Sequence, residues 1–350
     1  MSSTTHPDFN AETEASTVAA AFPDSIKGRT ILVTGVNKTG LGYATVSAFA
    51  SQSPRLIIIT GRSPSKLEES LSGLRSTYPG VIFKPLNLDL SSQKSVRDAA
   101  AEVLSWDDVP ALDIIVNNAG VMNIQERALS VDGVEMHFAT NHLGHFLFTN
   151  LAMSKVLKGT NRRIVNVSSF GTFVSALRAS DINFEKPISE LPEKERPNVG
   201  MLKMARLEVD DSSVYIPFAA YGQSKTANVL YSVGLNERLN EKYGVSSLAL
   251  HPGEIMTELQ RTTDMEWLAK QVEFRKKSGQ PGFKTVEQGA STALVAALDP
   301  KLGKPGLNGQ GMYLSDCQIA PRVPPYALDK EEAEKLWVIS EKLVGDEFAW

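Results

Sequence analysis

Tyr221 and Lys225 stand four residues apart in the run Tyr-Gly-Gln-Ser-Lys. On a helix that spacing puts both side chains on one face, one turn apart. An ammonium held near a phenol favours the phenolate and lowers a pKa that is otherwise about 10. A phenol so tuned works as a general acid or base nearer neutral pH. The same spacing describes an ordinary surface pair, so the rest of the chain has to decide between the two.

Other residues suit an anionic dinucleotide. Thr34-Gly35-Val-Asn37-Lys38-Thr-Gly40-Leu41-Gly42 follows the apolar run Thr30 to Val33. Glycines there permit a tight turn and let backbone N–H groups approach a pyrophosphate, at which the next helix directs its positive end. A second apolar run ends in Thr60-Gly61-Arg62, where a carboxylate would bind the ribose hydroxyls of NAD. Arg62 instead offers a planar fork to a 2′-phosphate, and Lys38 a second charge. This reading favours NADP(H), against the alternative of a solvated strand-end arginine. A third run ends at Asp89-Leu90. Asp89 is placed either to accept from an adenine amino group, with Leu90 against the ring, or to cap the helix that begins near Ser91-Ser92. A fourth run ends in Asn117-Asn118-Ala119-Gly120, whose small residues let a cofactor lie on the backbone while Asn side chains tie strands together.

These residues need elements to hold them. Strands are predicted at 30–34, 55–60, 81–86, 112–117, 163–167, 245–250 and 312–315. Helices are predicted between them at 43–52, 65–78, 92–104, 135–157 and 221–243. Alternating elements with β-branched strands imply an α/β protein, a doubly wound parallel sheet of about seven strands with helices on both faces. In such sheets ligands bind beyond the carboxyl ends of the strands, where all of the residues above fall. Residues 1–24 are polar and read as a flexible tail, and 25–350 as a single domain. Segments 172–220 and 254–284 interrupt the alternation and read as insertions that wall a substrate pocket, with Tyr215, Phe218, Met256 and Trp267 as apolar lining.

Bulk properties narrow the function classes. A net charge of −4 from 36 basic and 40 acidic residues gives no electrostatic case for nucleic acid or an anionic membrane. No apolar run reaches the ~18 to 20 residues of a membrane span. One cysteine, Cys317, cannot form an internal disulfide and fits a reducing, cytoplasmic setting. One Cys and five scattered His do not assemble a metal site. His142 and His145, one turn apart, are read as packing or surface residues, and Cys317 as a small buried apolar residue. A small-molecule substrate is the expected partner, and a homodimer is admissible.

In order along the chain come Thr34…Gly40-Leu-Gly42, Asn117-Asn-Ala-Gly120, Asn141, Val167-Ser-Ser169, Tyr221-x-x-x-Lys225 and His251-Pro252-Gly253. Together they resemble the short-chain dehydrogenase/reductase family over roughly residues 27–320. Asp132-Gly-Val-Glu, Asn141-His-Leu-Gly-His-Phe146, Lys284-Thr-Val-Glu-Gln-Gly-Ala290 and Leu336-Trp337 look like its retinol-dehydrogenase and protochlorophyllide-reductase branch, and like microbial natural-product reductases. The resemblance implies a Rossmann fold and a hydride transfer between nicotinamide and a carbonyl or alcohol. It implies that Tyr221 transfers the proton and that Lys225 binds the nicotinamide ribose and depresses the phenol pKa. Ser169, rather than Ser168, would hydrogen-bond the substrate oxygen. Asn141 would hold a water in a relay with Lys225, Asn118 to Gly120 would line the cofactor, and Ile255 and Thr257 would touch its nicotinamide end.

Two departures stand out. Four residues separate Gly35 from Gly40 where the family usually has three, and Ser169 and Tyr221 are 52 positions apart instead of a dozen or so. Reduction of an activated carbon–carbon double bond keeps the same cofactor. A non-catalytic NADP sensor would be favoured by loss of the tyrosine or lysine, and both are present. Epimerisation fits less well, because epimerase relatives usually lack Asn-Asn-Ala-Gly.

Overall fold

The computed structural model describes residues 3–204, 207–255, 282–303 and 311–350. Aliphatic, β-branched runs become the middle of one sheet. Its strands are β1 (Thr30–Val33), β2 (Leu56–Gly61), β3 (Ile82–Asn87), β4 (Ile114–Asn117), β5 (Arg163–Val167), β6 (Ser246–His251), β7 (Tyr313–Ser315) and β8 (Gln318–Ile319). The order is β3-β2-β1-β4-β5-β6-β7-β8. β1 to β7 run parallel and β8 turns back antiparallel on β7. The two-residue eighth strand lies beyond the seven expected. It is made by Asp316 and Cys317, both at positive φ (50° and 63°), as the tightest hairpin turns require.

Successive strand residues point to opposite faces, and each face has its own core. Leu32, Ile58, Ile115 and Ile164 pack with helices Gln93–Ser105, Gly144–Leu151, Pro217–Tyr243 and Lys330–Val344. Ile31, Ile57, Val116 and Val165 pack on the other side with Ala15–Ala21, Leu41–Ala50, Pro64–Thr77 and Val286–Leu298. Every residue of β1, β4 and β5 is buried. Each such aliphatic side chain contributes about 1.5–3 kcal/mol of transfer free energy. That arrangement is the doubly wound α/β fold.

Several elements differ from expectation. The N-terminal stretch is packed instead of trailing as a tail. Phe9, Val18 and Phe22, spaced among polar residues, are buried, and Ala15–Ala21 is a helix on the Val286–Leu298 side. Thr5 donates its N–H and its hydroxyl to the two oxygens of the Asp299 carboxylate, each at 2.6 Å. Gln318 donates to the carbonyls of His6 (2.9 Å) and Phe9 (2.7 Å). The helix expected at 135–157 is broken by a π-turn at Ala139–Leu143, and such turns gather at functional sites. The 221–243 helix begins earlier, with Pro217 at its first position. Val286–Leu298 and Lys330–Val344 are helices absent from the predicted set. Segment 172–220 forms short turns and the helix Val199–Met204 around a small apolar cluster that includes Phe184, Leu202 and Ile216. Most of segment 254–284, with Met256, Thr257, Trp267 and Phe274, lies outside the described residues.

Candidate active site

The strand order reverses between β1 and β4, which opens a crevice at their carboxyl ends. A cleft of about 280 Å³ sits there. Gly35, Asn37, Gly40 and Leu41 line it from the loop after β1, and Arg62 from the end of β2. Asp89 and Leu90 line it after β3, Asn118, Ala119 and Gly120 after β4, and Pro252 after β6. Tyr221 and Lys225 reach it from the Pro217–Tyr243 helix.

Thr34 organises the first loop. Its hydroxyl accepts from the backbone N–H of Asn118 (2.9 Å) and Ala119 (3.0 Å). His145 Nδ1 lies 3.0 Å from the Asn141 carbonyl, which can only accept, so the proton sits on Nδ1. Nε2 is then the acceptor for the Thr34 hydroxyl at 2.8 Å. Burial lowers the His145 pKa to about 4, consistent with this neutral tautomer; its bond to Asn141 raises it and the Lys225 charge lowers it further. Asn118 Nδ2 returns a bond to the Thr34 carbonyl at 2.8 Å. Gly35 has φ 70°, and a Cβ there would stand 2.7 Å from Ala119. A side chain at this point would push the two loops apart. Gly42 does not face the cleft and packs under the Gly35 carbonyl.

The phosphate-binding chemistry is present with one exchange of residues. Helix Leu41–Ala50 starts at Gly40 with no side-chain cap, and Gly40 and Leu41 at its N-terminal end line the cleft. Lys38 pairs with Glu69 at 3.6 Å and does not line the cleft, contrary to expectation. Lys66, four positions after Arg62, lines it instead. Asp89 uses one carboxylate oxygen to accept from Ser91 N–H (3.0 Å) and the Ser91 hydroxyl (2.7 Å). The helix cap proper is Ser92. These donors and cations fit an anionic dinucleotide.

At the other end, Ser169 opens a short 3-10 turn at Phe170–Phe173, and its side chain accepts from Gly171 N–H at 3.2 Å. Tyr221 stands beside Ser169, whose side chain acts to lower the phenol pKa. Ser168 is committed elsewhere: its hydroxyl donates to the Lys225 carbonyl at 2.7 Å. Lys225 Nζ donates to the Val167 carbonyl at 3.0 Å and lies 5.7 Å from the centre of the Tyr221 ring. Burial pushes the Tyr221 phenol up to about 12, with Ser169 as the lowering influence. Burial also brings Lys225 down to about 8. The expected depression of the phenol by Lys225 is not among the influences on Tyr221, whose pKa is set by burial and, against it, by Ser169.

Asn141 lies in the π-turn, fully buried beneath Gly120. Its Oδ1 accepts from Val121 N–H at 2.7 Å, and its Nδ2 donates to the Val121 carbonyl (3.0 Å) and Ser224 Oγ (2.9 Å). The side chain is thus spent on the loop after β4. Ile255, expected at the nicotinamide end, packs against Gly289 of the Val286–Leu298 helix. Gly253, at φ 96°, is covered by the Lys284 chain. His142 is buried with Nε2 on Ser340 Oγ at 2.8 Å, and Cys317 is buried with its thiol on Ser291 Oγ at 3.0 Å. Sequence reasoning passed over Lys66, His145 and the hub role of Thr34. The i,i+4 relation of Lys66 to Arg62 was a usable signal. His145 had none, because its partners are Thr34 in the loop after β1 and the Asn141 carbonyl in the π-turn.

The family model for short chain dehydrogenase matches residues 29–180. The chain is 36% identical over 250 residues to Oxidoreductase fscI of Fusarium equiseti, a match covering 70% of this chain and 94% of that protein. It is 33% identical over 320 residues to Retinol dehydrogenase 12 of Mus musculus, covering 91% and 87%. Among solved structures, an uncharacterized protein from Mycobacterium Paratuberculosis superimposes with a TM-score of 0.65 at 28% identity, over 95% of this chain and 98% of that one.

Proposed function

Since the chain belongs to the short-chain dehydrogenase/reductase family, oxidoreductases of alcohols and carbonyls, we propose that it is an NADP(H)-dependent enzyme that interconverts a carbonyl and an alcohol on a bulky, partly apolar small molecule. The observation that carries this reading is Tyr221 beside Ser169, with Lys225 one helical turn away and lining the same cleft. Arg62 and Lys66 at the end that would take the adenosine ribose support NADP(H) over NAD(H). The apolar alcohol in the name of Retinol dehydrogenase 12 and the apolar side chains of segment 172–220 support a large substrate, a natural-product intermediate for preference. We place the reaction in the cytoplasm.

The dinucleotide, when bound, supplies the hydride or receives it. The chain has to manage the oxygen. As a carbonyl carbon gains hydride, its oxygen gains negative charge and needs a proton and a second hydrogen bond. A phenol held near pKa 12 is protonated at neutral pH and so ready to donate. Ser169 can give the second bond once the substrate oxygen comes between the two hydroxyls. Lys225 at about 8 is mostly cationic at pH 7 and stabilises the tyrosinate left behind. Gly40, Leu41 and Asn118 to Gly120 would hold the dinucleotide along the loops.

The test compares Tyr221→Phe with wild type, scoring NADPH binding by fluorescence and single-turnover reduction across a carbonyl panel. Binding should stay within about twofold, and turnover should fall by about 10² to 10⁴. Wild-type turnover in Tyr221→Phe would sink the assignment. NADPH binding with no turnover of any carbonyl, alcohol or alkene would favour a sensor.

A further inference from the structure

The Tyr221 ring is held by three neighbours. Gly171 lies along one side, where a Cβ would come within 3.2 Å of Tyr221 Cδ1. Phe218, one turn earlier on the same helix, lies parallel to it with centroids 6.4 Å apart. The third is His137, whose ring centre is 6.1 Å away with the planes at 71°. His137 is wholly buried, and Tyr221 is nearly so.

His137 is not free to turn. Its Nδ1 lies 2.8 Å from Glu135 Oε1, and that carboxylate is also without exposed surface. An ionised carboxylate only accepts, so Nδ1 carries the proton and Nε2 faces the Ile124 N–H at 3.4 Å. The second Glu135 oxygen accepts from Phe138 N–H at 2.9 Å, which caps the turn leading to Asn141. Glu135 is in turn fixed from the insertion. Its backbone N–H donates to Asn183 Oδ1 at 2.9 Å, and Asn183 Nδ2 donates to the Gly133 carbonyl at 3.0 Å. The insertion itself is tied to the helix that carries Tyr221. Gln223 accepts from Arg178 N–H at 2.9 Å and donates to the Ile182 carbonyl at 3.1 Å. The contacts close a circuit from the Tyr221 helix through the insertion to Glu135 and His137, and back to the Tyr221 ring.

We propose that His137 is a positioning residue for Tyr221, locked by Glu135, and that segment 172–220 acts on the chemistry through Asn183 as well as walling the substrate. The proposal rests on the reading of Tyr221 as the proton donor. The packed imidazole stops the phenol from tilting, so its hydroxyl stays beside Ser169. A displacement near 1 Å at a reacting group can cost on the order of 10²-fold in rate. Nothing in this role calls for His137 to touch substrate or to change its charge.

The experiment is a double-mutant cycle of His137→Ala with Tyr221→Phe, joined by His137→Phe and Asn183→Ala, in the full-length protein on any substrate it turns over. His137→Ala should lower kcat by about tenfold or more while NADPH Kd and substrate KM move less than about threefold. His137→Phe restores a ring of similar size and should recover most of the rate. Asn183→Ala should shift kcat in the same direction by about two- to fivefold. On the Tyr221→Phe background, His137→Ala should cost almost nothing further, because the group it positions is gone. Wild-type kcat in His137→Ala overturns the proposal. So does an equal loss on both backgrounds, or a parallel loss of NADPH affinity, which would mark a general structural role. Should His137→Ala fail to fold, Asn183→Ala carries the test, and an unchanged kcat there overturns the proposal. Wild-type turnover in Tyr221→Phe strikes the parent reading instead, and is told apart by that single variant.

Discussion

The two ends of the cleft are built differently. The end that would take the cofactor is made from strand tips, with Thr34 at its centre joining the loops after β1 and β4 and bonded to His145. The end we propose for substrate borders segment 172–220, which has its own small apolar cluster and is held by separate side-chain bonds from Asn183, Arg127 and Gln223. A strand-tip site is rigid because the sheet core is rigid. An inserted wall is only as firm as its few anchors, so it can change shape without unfolding the sheet.

That contrast can be broken by experiment. The largest effect is expected at Arg62. Arg62→Ala should weaken NADPH by about ten- to a hundredfold, since a charge-assisted contact to phosphate is worth about 1.5–3 kcal/mol. NADH affinity and the substrate KM should stay nearly fixed, which titration with both cofactors would check. Equal wild-type affinities for NADH and NADPH would remove the basis for the cofactor assignment.

Next comes Thr34→Val, which keeps the shape and strips the acceptor of two loop N–H groups. Destabilisation of about 1–3 kcal/mol is expected by urea unfolding, with weaker NADPH binding. If Thr34→Val melts like wild type, the hub is not what stiffens this end.

Acid should also act first on buried histidines, none of which lies in segment 172–220. Burial lowers His145 to about 4 and His142 to about 3, from 6.5, with His145 adding to the effect on His142. Their folded pKa values lie below the unfolded one, so the unfolded chain takes up protons first as pH falls. Their contribution is complete above pH 6.5 and is lost progressively toward pH 4 and 3. Tm should therefore drop across that window, and less steeply in His142→Phe. A flat Tm between pH 6.5 and 4.5 would contradict this.

The smallest effect is expected at Gln223, which anchors the wall and touches neither reactant. Gln223→Ala should raise substrate KM by about two- to fivefold with NADPH Kd unchanged. A loss of NADPH affinity of the same size would show that the two ends are not separable.

The same contrast explains what could be read from the sequence. That the glycine loop, Arg62, Asn118 to Gly120 and Tyr221 with Lys225 meet at one cleft was legible, because each is a residue type at a short spacing next to a strand end or on one helix face. Lys38 misled because proximity in the loop says nothing about direction, and Glu69 on the Pro64–Thr77 helix draws it away. Glu135, His137 and Asn183 were illegible as a unit. Their link depends on a fold contact across 48 residues of chain. The π-turn at Asn141 was hidden because its composition is that of the helix around it. The helix Val286–Leu298 was left out of the predicted set although a capping box at Thr285 and Gln288 marks its start.

The packed N-terminal stretch has a consequence for how the chain is made. Thr5 bonds to Asp299 across 294 positions, and His6 and Phe9 bond to Gln318 across more than 300. Residues 5–9 therefore leave a ribosome about 300 positions ahead of these partners. At about 5–20 residues per second they wait on the order of 15 s to a minute, with Phe9, Val18 and Phe22 uncovered. Their docking closes the chain's longest loops, so it belongs among the late events of folding. During that wait the nascent chain presents an apolar segment to chaperones that the finished enzyme never shows.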